Sequence, residues 1–495
     1  MLLIATAVHT VESLKNSTIN PTVPSPSLTN MAATWAEMQK LLASDGAAGD
    51  WFGWSVSLDS DTALIGVQLD DNNGTANSGS AYVFTRTGIT WTQQQKLLAT
   101  DSASDDRFGA SVSLDGNTAL IGAYADDDNG VNSGSVYVFT RTGTTWTQQA
   151  KLTASDAAAN DQFGFQVSLS ENTALIGAHG DDSYKGSAYV FTRTGTTWTQ
   201  QQKLLAADGA AGDKFGIPVS LDGDTALIGA YTADGYTGSA YVFTRTGTTW
   251  TQQAKLTASD GTSGDYFGVN VALDGDTALI GACNDDADRG SVYVFTRIGT
   301  TWTQLQKLLA TDGTSGDYFG FSVSLDGDTA LIGSWSDSAY VFTRTGTIWI
   351  QHQKLLASDS TSGDYFGYYV SLDGDTALIG ANLDDDKGVD SGSAYVFTKV
   401  IKFNIKGGLG VNLKITNNGT ADANAVPWEI HVEGGILGLI NKMVTDTIDI
   451  PAGESITVGT GLFFGLGPII ITAKVADEEK TATGTQIIIF SMVKK

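Results

Sequence analysis

The 495-residue chain is poor in the groups that usually announce chemistry. A single cysteine, Cys283, excludes an internal disulfide and a cysteine-rich zinc site. The four histidines, His9, His179, His352 and His431, lie far apart without metal-ligand spacing. Only 28 Lys and Arg oppose 54 Asp and Glu, and the formal charge of −26 leaves no basic face for phosphates, which argues against nucleic acid and anionic membranes. No run of 18 apolar residues occurs, so no transmembrane helix is expected. Glutamate is scarce too: eight of the 54 acids are Glu and 46 are Asp, a residue of turns and caps. With 58 glycines, this composition points to an all-β protein.

What is present is repetition. From Trp35 onward a unit recurs seven times: W-x4-K-L, then D-x4-D-x-F-G, then S-V-S-L-D-G-D-T-A-L-I-G-A, an acidic loop, and G-S-A-Y-V-F-T-R-T-G. The Phe-Gly pairs begin at Phe52, Phe108, Phe163, Phe215, Phe267, Phe319 and Phe366. Each unit holds four strand candidates. FGASVSLD alternates, with Phe108, Ala110, Val112 and Leu114 on one face; TALIGA and SVYVF are continuous apolar runs suited to strands covered on both faces; TTWTQQAKL is polar enough for an outer strand. Four short strands per repeat are the pattern of propeller blades, so a seven-bladed β-propeller is expected. TWAEMQKLL precedes the first Phe-Gly unit, whereas the seventh ends at Phe397 without such a strand. The N-terminal strand is therefore expected to complete the last blade and close the ring, removing two edges at once.

The stretch FG…DTALIGA…DDDNG…GSAYVF resembles the FG-GAP repeat family, related to the propeller of integrin alpha subunits, over roughly Trp35 to Phe397. The resemblance implies an extracellular or cell-surface protein engaged in adhesion, ligand binding or assembly. One departure is plain: integrin-type repeats carry a nine-residue calcium loop between the FG and GAP strands, where this chain has only the tight LDGDT turn. Integrin calcium ligands therefore have no counterparts here.

Three segments follow. Residues 1–30 read as a truncated signal-like start, MLLIATA, and a polar linker; 31–398 as the propeller; 399–495 as an Ig-like β-sandwich without the antibody cysteine pair. NNGTADANAVPWEIHV resembles adhesion-associated Ig-like modules, of the CARDB-like kind, of bacterial and archaeal surface proteins.

The candidate sites lie on the face carrying the acidic loops. Aspartates five apart recur seven times, from Asp45/Asp50 to Asp359/Asp364. Asx-turns explain them, with metal binding or acid/base work as the alternative. All variation in repeat length falls in the loop after IGA, which is long in units 1, 2 and 7. Those loops place Asp70, Asp71, Asp126, Asp127, Asp128, Asp384, Asp385 and Asp386 on neighbouring blades, and Trp335 in the shortest loop is expected beside them as a binding anchor. Asp70/Asn72, Asp126/Asp128 and Asp384/Asp386 are candidate calcium ligands, one position shorter than an EF-hand start. The expectation is a non-enzymatic surface protein binding a protein or glycan on this face. A secreted hydrolase using its carboxylates and a structural surface-layer component capable of self-assembly are the alternatives.

Overall fold

The computed structural model describes residues 35–72, 74–406, 408–419, 423–434, 440–461, 465–476, 478–488 and 490–493. The signal-like and linker segment 1–30 lies outside the described residues. The chain is all-β, and residues 35–399 form seven four-stranded antiparallel sheets, the arrangement expected of a propeller.

Unit 2 shows the pattern. Its strands Ser111–Asp115, Thr118–Ala123, Ser135–Thr142 and Thr145–Leu152 pair in sequence order. The second strand is buried at every position, as its uninterrupted apolar run requires. The first strand is shorter than the alternation suggested: Phe108 and Ala110 lie outside it, because Gly109 adopts φ +91° and ends the extended run. Phe108 instead packs edge-on against Tyr137 and Phe139, with centroids 5.3 and 6.0 Å away. In unit 7 the first strand does start at the phenylalanine, Phe366–Asp373.

The apolar cores lie between sheets. One cluster joins Leu64, Val83 and Leu97 of unit 1 to Phe108, Ile121 and Trp146 of unit 2. Another joins Leu378 and Val396 of unit 7 to Phe52, Ile65 and Trp91 of unit 1. The N-terminal strand Trp35–Leu41 pairs antiparallel with Ser393–Lys399, in the same sheet as the last unit.

Two devices let the sheets approach. The first is glycine. A Cβ on Gly122 would stand 2.0 Å from the carbonyl oxygen of Gly164 in the next unit, and one on Gly134 2.1 Å from that of Phe163. Backbone thus lies directly on backbone. Unit 6 has Asp337 where the others have this second glycine, and its carboxylate accepts from the Tyr365 and Gly363 amides, at 2.6 and 2.8 Å, in place of that contact. The second device is polar. Ser57 Oγ accepts from Leu114 N at 3.0 Å, Asp115 from Glu171 N at 2.5 Å and Asp373 from Ser60 N at 2.6 Å, so each S-L-D run satisfies amides of the following unit's inner edge. On the same side, Arg141 donates to Asn117 of its own turn and to Thr62 of the preceding unit, over the Trp146 ring.

Beyond the repeats, a three-stranded sheet containing Ile401–Lys406 and a six-stranded sheet containing Gly465–Val475 share one core around Phe403, Leu413, Trp428, Ile430 and Ile471.

The glycine contact predicts a matched pair of variants. Gly122→Ala should cost about 2–4 kcal/mol, because backbone on both sides of the new methyl must move. Gly143→Ala, at φ +63° with nothing within 4 Å, should cost only about 1 kcal/mol of left-handed strain. Denaturant unfolding of the two variants measures both.

Candidate functional site

The acidic loops form ion-pair nodes. Asp126 is buried, and its carboxylate lies 2.8 Å from Lys151 Nζ while accepting the Tyr137 hydroxyl at 2.8 Å. Asp101, from the preceding D-x4-D loop, and Asp128 approach the same ammonium at 2.8 and 2.5 Å. In unit 7 the N-terminal strand supplies the cation: Lys40 Nζ lies 2.8 Å from Asp359, 2.8 Å from Asp384 and 2.6 Å from Asp386. In unit 1 Lys96 holds Asp45 and Asp70, each at 2.8 Å. The short loops repeat this with Asp181 and Lys203, Asp234 and Lys255, and Asp285 and Lys307. Unit 6 has no such loop aspartate, and its Lys354 pairs with Asp312. The node is therefore a property of the repeat and not of the long loops. The sequence signal was the lysine of W-x4-K-L, present in every unit.

The remaining loop groups are engaged locally. Asp71, Asp127 and Asp385 accept amides of Asn77, Asn132 and Asp390 at 2.7, 2.6 and 2.8 Å. Asn72 donates to the carbonyl oxygens of Asp70 and Gly79 and to Ser78 Oγ. Of the six candidate calcium ligands, Asp126 and Asp128 bind Lys151, Asp384 and Asp386 bind Lys40, and Asp70 binds Lys96, so in each of the three loops a lysine ammonium stands where a cation would sit. Among the described residues, no three His, Cys, Asp or Glu side chains are grouped to hold a metal. This donor set does not fit calcium while the lysines are in place.

In the D-x4-D pairs the two aspartates divide the work. The second caps its own loop: Asp106 accepts Ala103 N at 2.6 Å, and Asp50 accepts Ala47 N at 2.6 Å. Burial pushes both carboxyls up to about 6. Burial also opposes the charge of the first aspartate, yet Lys151 and Tyr137 hold Asp101 below the ordinary 3.8.

The second feature is apolar and lies around the centre. Beside the constant Phe-Gly and Ile-Gly-Ala elements the sequence varies between units: at the residue before Phe-Gly, at the two after it, and at the one after Ile-Gly-Ala or its equivalent. The first of these is left-handed in every unit, with φ between 50° and 64° from Trp51 to Tyr365, none of them glycine. Residues from these positions line one cavity of about 420 Å³: Tyr266 and Tyr318 precede Phe-Gly; Trp54, Phe165, Phe321 and Tyr368 follow it; Tyr231, Cys283 and Trp335 follow the Ile-Gly-Ala element. Across the centre, Gln166 of unit 3 donates to Tyr369 of unit 7 at 3.4 Å.

Trp335 belongs to this cavity, where it was expected beside the acidic cluster. Its ring is 37% exposed, 4.8 Å from Tyr318 and 5.2 Å from Phe321, and nearly parallel to Tyr365 and Tyr368. Shortening the loop to SDS removes the segment bearing the acidic motif, leaving Trp335 at the opening. The cavity went unseen because its residues are 52 or so apart in sequence, although variation between otherwise matching repeats marks them.

Two outcomes follow for the polar nodes. Lys151→Met should cost about 2–3 kcal/mol at neutral pH, since it strands Asp126 without its counter-charge. The gap should close as pH falls below 3.8: the lowered carboxyl of Asp101 contributes stability above its unfolded value, which is lost on protonation. Asp106→Asn has the opposite sign. A raised carboxyl favours the fold only at low pH, and that contribution is lost as pH rises from about 4 through 6. Asp106→Asn should therefore melt above the parent at pH 7 and converge with it below pH 4, as thermal scans across pH will show.

No curated protein matches the chain. The FG-GAP repeat model matches it seven times, over residues 35–84, 91–139, 146–191, 198–243, 250–295, 302–347 and 349–397. Each match spans the outer strand of one sheet and the three inner strands of the next, and the chain belongs to the FG-GAP repeat family.

Proposed function

We propose that this chain is a non-enzymatic binding or adhesion protein of the cell surface or extracellular space. Its seven sheets form a closed propeller ring carrying an Ig-like module. The ligand enters at the aromatic cavity, with the acidic loops as the surrounding rim. One observation carries the reading: the positions that differ between matching repeats converge on one cavity, while the constant ones hold sheets together. Ring closure is supported by the N-terminal strand in the last sheet, by Lys40 in the seventh node and by the core shared between units 7 and 1. The extracellular placement is supported by family membership, such repeats being typical of surface proteins, and no described helix is long and apolar enough to cross a membrane.

The cavity lining contains no carboxylate and no unit-spanning acid/base pair, so binding suits it better than hydrolysis. Lysine supplies the counter-charge of the rim, and calcium is dispensable in this proposal. Melting with calcium and with chelator should coincide; a calcium-dependent rise lost in Asp128→Ala with Asp386→Ala would restore the metal.

The test of function is a glycan and protein array probed with the native chain, with Trp335→Ala, and with the acidic loops of units 1, 2 and 7 shortened to that of unit 6. Binding that weakens about tenfold or more in Trp335→Ala is expected. Binding indifferent to Trp335 would overturn the cavity as the site. Spontaneous sheet or fibre assembly with no ligand on the array would favour a structural surface-layer role instead.

A further inference from the structure

The cavity wall is chemically selective. All its lining side chains are neutral: burial pushes the Cys283 thiol up to about 12, and burial holds the Tyr368 hydroxyl protonated. The Lys214 ammonium stands behind the wall, donating to the Tyr231 hydroxyl at 2.9 Å, but it does not line the cavity, and an anion would approach a chain of net charge −26. The Asp288 carboxylate accepts from the Asn284 amide at 2.9 Å without itself lining the cavity, and Asp70 and Asp126 of units 1 and 2 are bound to the lysines of the outer strands.

The wall does offer flat apolar faces. Trp335, Tyr365 and Tyr368 lie within 12–14° of parallel, with centroids 5.8 to 6.3 Å apart, and Trp335 is the exposed member. Two amides on the wall keep unused, complementary groups among the described residues. Gln166 donates its amide nitrogen to Tyr369, leaving its carbonyl to accept. Asn270 accepts Val323 N through its carbonyl at 3.2 Å, leaving its amide nitrogen to donate. One free acceptor, one free donor and an aromatic platform match a molecule with an apolar C–H face and a rim of hydroxyl groups, each of which both donates and accepts.

We infer that the cavity formed by Trp335, Tyr368, Gln166 and Asn270 binds the ring of a neutral pyranose, such as the end of an uncharged glycan. This rests on reading the cavity as the ligand site. The sugar's C–H face lies on Trp335, its hydroxyls exchange hydrogen bonds with Gln166 and Asn270, and the volume suits a small ring rather than a long chain. The acidic rim adds selection against sialylated or sulfated glycans.

The experiment titrates the full chain with the methyl glycosides of glucose, galactose, mannose and N-acetylglucosamine, and in parallel with N-acetylneuraminic acid and tetramethylammonium chloride. Tryptophan fluorescence and saturation-transfer NMR report binding. At least one neutral glycoside should bind, N-acetylneuraminic acid should not, and Trp335→Ala and Tyr368→Leu should each weaken binding roughly tenfold. Melting curves of both variants show that each is folded. Binding of tetramethylammonium without any glycoside would overturn the inference in favour of a cation-binding cavity. Failure of every neutral sugar, with a Trp335-dependent protein ligand on the array, would overturn the sugar and leave the cavity as the site. Loss of all Trp335-dependent binding would overturn both.

Discussion

The contact on which everything else depends is backbone lying on backbone between adjacent sheets. At Gly66, Gly122 and Gly380 a single methyl group would come within about 2 Å of the next unit's carbonyl oxygen, so the sheets stand as close as chains without side chains allow. That approach fixes the distance over which Phe, Tyr, Leu and Trp fill the seven inter-sheet cores. It also brings the Ser and Asp of each inner strand within reach of the next unit's amides. Repeat proteins are stabilised by nearest-neighbour interfaces more than by single repeats, and here the interface is written into the most constant letters of the sequence.

The constant and variable residues therefore divide the protein's work. Lysine, tyrosine and the two loop aspartates make polar nodes that recur with little change, which is why a cluster with so many carboxylates carries so little free negative charge on its buried members. The residues flanking Phe-Gly recur in backbone alone, the amide of the one after it donating to the carbonyl of the one before it, as from Trp54 to Trp51 and from Tyr368 to Tyr365. They are free to differ, and they differ toward tryptophan and tyrosine in the units that wall the cavity. Left-handed backbone at Trp51, Tyr266, Tyr318 and Tyr365 is tolerated on the same face, where the rigid frame bears its cost.

Much of the frame was legible in the sequence because it rests on periodicity. TALIGA, SAYVF and W-x4-K-L fell where expected, as did the pairing of Trp35–Leu41 with the last unit. The end of the inner strand was not legible, since the left-handed Gly109 and its neighbour contacts decide it and not the alternation around it. The candidate site was legible in part. Position on a common face could be read for Asp70, Asp126 and Asp384, but not that Lys96, Lys151 and Lys40 lie among them, because those lysines belong to other strands, up to 344 residues away in the case of Lys40 and Asp384. Trp335 was singled out by loop length alone, and its aromatic neighbours stand on other loops of its own unit and of unit 7.

The proposed ring is one cooperative unit of seven sheets closed through the N-terminal strand. The direct measurement is the thermal unfolding of a chain lacking residues 1–41, alone and with a synthetic peptide spanning residues 31–42 added in trans. The ring predicts a lower midpoint for the shortened chain, exposure of the Ser393–Lys399 edge with a tendency to aggregate, and recovery when the peptide supplies Lys40 and the missing strand. A shortened chain that melts at the parent midpoint, stays monomeric and ignores the peptide would contradict it.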